Sequence, residues 1–145
     1  MIVDLIKQTR SFRRFDQSAN VSQETPKGLV EMARHAASAR NLQPPKHVLS
    51  YKPETNALIF STLVWTEDPK SWHCPAEGER PSAHIIVLGD TRISTNFDVD
   101  SGIASQYIML GAGGAEKVLK EFDGDLNIPK KDVKTANPDR QLAIN

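Results

Sequence analysis

Residues Thr9 to Phe15, TRSFRRF, place three arginines and a serine beside two phenylalanines in a chain whose formal net charge is zero. Guanidinium groups offer fork-shaped donors and serine a hydroxyl, a set suited to gripping a phosphate or another anion. The same composition is common on a solvated surface, and short basic motifs recur by chance. The cluster alone leaves both readings open. A second polar stretch, AASARNLQP from Ala36 to Pro44, carries Ser38, Asn41 and Gln43. Its bland reading is turn chemistry, with Asn41 ending a helix and Gln43 exposed.

The remaining candidates for chemistry are weaker. His73 and Cys74 are adjacent and His84 follows ten positions on, but no fourth ligand falls at zinc-like spacing, so no metal site is predicted. Nothing in the sequence places a base beside Cys74 to make it a nucleophile. Trp65 and Trp72 read as packing anchors. Gly111, Gly113 and Gly114 do not form a dinucleotide fingerprint, because no strand directly precedes them. EKVLKEFDGD reads as a solvated helix face.

The chain has 145 residues, 39% hydrophobic and 25% charged, which predicts one soluble globular domain over 1–145 with a real core. Lys and Arg number 18, as do Asp and Glu, so no global field draws the chain to nucleic acid or an anionic membrane. Any anion site must be local. The apolar stretches Ala57–Trp65 and Ala83–Gly89 are interrupted or too short to span a bilayer, and the N-terminus lacks a signal-peptide core. With a single cysteine, Cys74, these features predict a cytoplasmic protein.

The elements that must position the two polar stretches follow from periodicity. MIVDLIKQTR has apolar residues at helical spacing and delivers the basic cluster at or just past its end. Thr25 as cap and Pro26 at the first position predict a helix that carries Leu29, Met32, Ala33 and Ala36 on one face and runs to about Arg40. Pro44 and Pro45 then enforce extended backbone before a short strand, HVLSY. Pro53 opens a helix through ETNALIFSTLVW, a stretch that also permits a strand. SAHIIVLGD reads as a strand in a central position. Asp98 or Asp100 caps an apolar, buried helix through SGIASQYIMLGA, which GAGG breaks before AEKVLKEF resumes. The last dozen residues are expected to be poorly ordered.

This order of elements, together with RSFRRF and AASARNLQP, resembles the FMN-dependent nitroreductase family. RSFRRF looks like that family's N-terminal flavin signature and AASARNLQP like its second. EGERPSAHIIVLGD followed by DVDSGIASQYIMLGA resembles the central strand and dimer-core helix. The resemblance covers about Asp4 to Ala112. It implies an α+β fold with a central, mainly antiparallel sheet flanked by helices, working as a homodimer with a shared flavin site. Arg10 and Ser11 then contact the FMN phosphate and ribityl chain, and Arg13 lies near the pyrimidine edge of the ring. A fixed cation there stabilises the negative charge that reduction places on the ring. From the other subunit Ser38 and Asn41 meet the ring, and Gln43 supports their loop.

The implied activity is hydride transfer from NADH or NADPH to a small oxidised acceptor such as a nitroaromatic or a quinone. No side chain is required as an acid or base, so no catalytic residue is predicted. Two departures stand beside the resemblance: Thr9 replaces a common Arg, and 113–145 is atypical, keeping LNIP but no later apolar strand. Lys117, Lys130, Lys131 and Lys134 are the nearby basic residues. The expectation is weak or substoichiometric FMN, and the alternative is a non-catalytic scaffold that keeps the dimer.

Overall fold

A computed structural model of the chain describes residues 2–65 and 72–114. The AEKVLKEF helix, LNIP, the polar tail and the four lysines just named lie outside the described residues. In chain order the elements are α1 (Ile2–Gln8), α2 (Glu24–Ala33), a single helical turn (Ala39–Asn41), β1 (Pro45–Ser50), α3 (Pro53–Phe60), β2 (His84–Gly89) and α4 (Asp98–Gly114). The architecture is α+β: β1 and β2 pair antiparallel, from Pro45 opposite Gly89 to Ser50 opposite His84. No helix of the described residues is long and apolar enough to cross a membrane.

The core forms where α2 and α4 meet the sheet. Ala33, Ile85, Ala104 and Ile108 are buried together, with Leu29, Val30, Ala36 and Leu49 packed against them. Leu49 and Ile85 are register partners, so both point to the same face of the pleat. On α4, Asp100, Ser101, Ala104, Ser105 and Ile108 make the buried face, whereas Val99 and Tyr107 are 72% and 38% exposed. The helix is therefore two-faced rather than buried all round.

Four expected element boundaries are also corrected. α2 starts at Glu24, with Gln23 and not Thr25 at the cap position, and stops at Ala33 instead of Arg40. Its start tolerates Pro26 in the first turn because the amides there need no helical partner. Its end is drawn in by short bonds: the Arg34 amide donates to both Val30 and Glu31, His35 to Met32 and Ala36 to Ala33. α3 ends at Phe60, where the Ser61 and Thr62 hydroxyls donate to the carbonyls of Leu58 and Ile59 at 2.7 and 2.8 Å. β1 starts at Pro45, two residues early, since a first strand position needs no amide.

The fourth correction concerns GAGG, which lies inside α4. A Cβ on Gly111 would collide with Sδ of Met32 and stand 3.0 Å from Cδ2 of Leu29. One on Gly113 would stand 2.8 Å from Oγ1 of Thr9. The glycines let α2 and α1 approach the α4 backbone, and that packing outweighs their low helix propensity. Among the described residues β2 has β1 as its one neighbour, and Leu88 on the opposite face is 47% exposed.

Candidate functional site

The basic segment leaves α1 at a fixed point. Both the amide and Oγ1 of Thr9 donate to the Leu5 carbonyl, at 2.9 and 2.8 Å, closing the helix where it rests on Gly113. Arg10 turns back: Nη1 donates to the carbonyls of Thr9 at 2.7 Å and Ile6 at 3.3 Å, the favourable position for a cation at a helix C-terminus. Ser11 is exposed and Arg13 half-buried. Among the described residues Arg13 makes no hydrogen bond or ion pair.

The rest of the cluster is structural. Arg14 lies 3.7 Å from the Glu79 carboxylate, and the Phe15 amide donates to the Glu79 carbonyl at 3.0 Å. Gln17 then stitches its segment to the turn at Gly78, donating its amide to the Gly78 carbonyl and accepting the Gly78 amide on Oε1 at 2.8 Å. Gly78 sits at φ +91, a conformation costly for residues with a Cβ. Phe15 packs edge-on against Trp65, which Phe60 and Trp72 also flank with ring centroids 5.5 and 6.3 Å away. Both tryptophans are thus packing anchors, as expected.

The second segment is more unusual. Ser38 is extended, at φ −134 and ψ 153, and Arg40, Asn41 and Gln43 all lie at positive φ, between 51 and 55. Asn tolerates this region, but Arg and Gln resist it, at about 1–2 kcal/mol per residue. Hydrogen bonds hold the loop there. Ser38 Oγ accepts the Gln43 amide at 3.0 Å, and Asn41 Oδ1 accepts from Gln43 Nε2 at 3.1 Å. The Ala39 amide donates to Asp100 Oδ1 at 2.9 Å, and the carbonyl of buried Pro44 accepts the Asp90 amide at 2.9 Å. Asn41 and Gln43 are exposed and Ser38 half-buried, so strain is concentrated where polar side chains face outward.

Asp100 is the residue that sequence reasoning placed differently, as a helix cap. Its carboxylate, 4% exposed, instead reaches a loop distant in sequence. The usable signal was its spacing: Asp100, Ala104 and Ile108 share one helical face, and a carboxylate on a buried face must find a donor.

No hydrogen bond or ion pair among the described residues joins Arg10, Ser11 or Arg13 to Ser38, Asn41 or Gln43. The first group is anchored at Gly113 and the second at Asp100, toward opposite ends of α4 and about 20 Å apart along its axis at 1.5 Å per residue. Among the described residues no group of three or more His, Cys, Asp or Glu is placed to hold a metal ion. His73 is exposed, and His84 is buried at the start of β2, with no hydrogen-bond partner for Nε2 among the described residues.

No protein-family model matches the sequence, and no curated protein matches it. Solved structures do match, and they define the fold as nitroreductase-like. An FMN-dependent nitroreductase from Clostridium difficile R20291 is similar at TM-score 0.60 and 18% identity, over 77% of this chain and 60% of that one. A nitroreductase family protein from Clostridium novyi NT is similar at TM-score 0.60 and 19% identity, over 78% and 64%. A protein from Exiguobacterium sibiricum 255-15, assigned as a nitroreductase and solved in complex with FMN, gives TM-score 0.60 and 19% identity over 78% and 70%. The chain spans about three fifths of the length of several such structures.

Proposed function

We propose that the chain is an FMN-dependent oxidoreductase of the nitroreductase type, a cytoplasmic homodimer whose two subunits share each flavin site. When bound, FMN supplies the hydride chemistry, taking hydride from NADH or NADPH and passing it to a small oxidised acceptor such as a nitroaromatic or a quinone. The donor set suits such a group. Arg13 offers a half-buried cation without a partner among the described residues, Ser11 an exposed hydroxyl, and Arg10 an exposed guanidinium for the phosphate end. Ser38 and Asn41 serve the ring, with Gln43 bracing Asn41.

The observation that carries this reading is the strained, outward-facing loop from Arg40 to Gln43 in a nitroreductase-like fold. Backbone strain held by specific bonds gathers at functional sites. Separation of the two polar segments along α4 supports a flavin assembled from two chains. Purified protein titrated with FMN should show the bound oxidised flavin band near ~450 nm and consume NADH or NADPH with a quinone present. No binding and no consumption at millimolar FMN overturns the proposal.

One observation favours a second reading, a scaffold with weak flavin binding. The Arg10 guanidinium already donates to the Ile6 and Thr9 carbonyls, which competes with a phosphate. The same titration separates the two, since a scaffold shows weak binding without turnover.

A further inference from the structure

We infer that Asp100 is the positioning residue of the Ser38–Gln43 loop, its buried carboxylate holding the left-handed backbone in the form that receives the flavin ring. This rests on the proposed function above. Among the hydrogen bonds that hold the loop, two do different work. The bond from the Gln43 amide to Ser38 Oγ closes the loop on itself. The bond from the Ala39 amide to Asp100 ties that closed loop to the first turn of α4 and thereby sets its orientation. Ala39 immediately precedes the first residue at positive φ, so its amide lies where the extended chain enters the strained run. Without an acceptor there, the Ala39 amide loses its partner and the loop loses its only side-chain tether outside itself among the described residues. The relaxed alternative, with Arg40 and Gln43 at negative φ, redirects both neighbouring side chains.

The role requires an acceptor atom at this point and not a charge. Asp100→Asn keeps Oδ1. Asp100→Ala removes it, and Asp100→Ser retains a polar residue suited to a helix start while falling short of Ala39. Two readouts on full-length protein decide the matter. In FMN-free protein, amide exchange at Ala39 and Gln43 should quicken about tenfold or more in Asp100→Ala and Asp100→Ser and stay within about threefold of wild type in Asp100→Asn. FMN affinity should fall about ten- to a hundredfold in the first two and little in the third, the range for outer hydrogen-bond partners of site residues. Adding Asn41→Ala should shrink the Asp100→Ala effect on affinity, because both act through one loop.

Unchanged exchange in both shortened variants overturns the inference, as does a loosened loop with unaltered FMN affinity or a loss in Asp100→Asn equal to that in Asp100→Ala. If Asp100→Ala does not fold, Asp100→Ser and Asp100→Asn give the same comparison. Failure of wild type to bind FMN overturns the proposed function instead, and the exchange experiment still judges the tether by itself.

Discussion

Ser50 and Asn56 share a buried hydrogen bond of 2.6 Å, the Ser50 hydroxyl donating to Asn56 Oδ1 while Asn56 Nδ2 donates onward to the Ser82 carbonyl at 2.6 Å. One amide thus ties the end of β1 and α3 to the strand entering at His84. Replacing Asn56 by Ala strands a hydroxyl and a carbonyl and should cost about 2–4 kcal/mol in urea unfolding, against about 1 kcal/mol for Ser50→Ala. Equal losses contradict the bridging role.

Ser50 faces His84 across the ladder, and burial lowers the His84 and His47 pKa values below the usual 6.5. The unfolded chain therefore takes up protons before the folded one, so stability is full above pH 6.5 and declines as pH falls through that value. His84→Gln should flatten the urea midpoint between pH 7.5 and pH 5. The Asp90 carboxyl is held at about 2, against 3.8, by hydrogen bonds from the Arg92 side chain and amide. Its contribution persists above 3.8 and is lost only as pH falls toward 2, a separate acid step that Arg92→Ala should weaken.

Left-handed Arg40 offers a test of stored strain. Arg40→Gly should raise stability by about 1 kcal/mol, because glycine adopts this region without a Cβ clash. The same change should weaken FMN binding by loosening the loop. A drop in thermal midpoint contradicts the strained geometry.

Arg13 and Arg10 should differ. Arg13→Ala should weaken FMN binding by about 1.5–3 kcal/mol, the worth of a hydrogen bond to a charged group, and leave the circular dichroism spectrum intact. Arg10→Ala should also remove its bonds to Ile6 and Thr9 and so loosen α1. Fluorescence titration beside melting of the free protein distinguishes the two patterns.

If the proposed flavin site draws on both segments, their anchoring about 20 Å apart on α4 predicts that a second copy of the chain completes it. Flavin release should follow dilution and track dissociation in sedimentation. A monomer that retains FMN fully rules out the shared site.

The elements with strong local signals were legible in the sequence: α1 ahead of the basic cluster, the β2 run ended by Gly89 and Asp90, and the start of α4 near Asp98. What was hidden depended on contacts distant in sequence. GAGG reads as a break only until Met32 and Thr9 are seen against it. α2 reads as continuing to Arg40 because its composition stays helical, whereas the chain is extended by Ser38 to reach Asp100. Within TRSFRRF, nothing local separates Arg14, spent on Glu79, from Arg13, which is free of such a partner among the described residues.

The seven-residue α1 is far shorter than the roughly 12–15 residues an isolated helix needs to persist in water. Its order is borrowed from the last turns of α4 through Gly113. The basic segment thus hangs on a packing contact with α4 that can open locally. Opening there frees Arg10 from its carbonyls while the loop at Asp100, at the other end of the helix, stays in place. A ligand that engages both segments is expected to order α1, a coupling that hydrogen exchange with and without FMN reads.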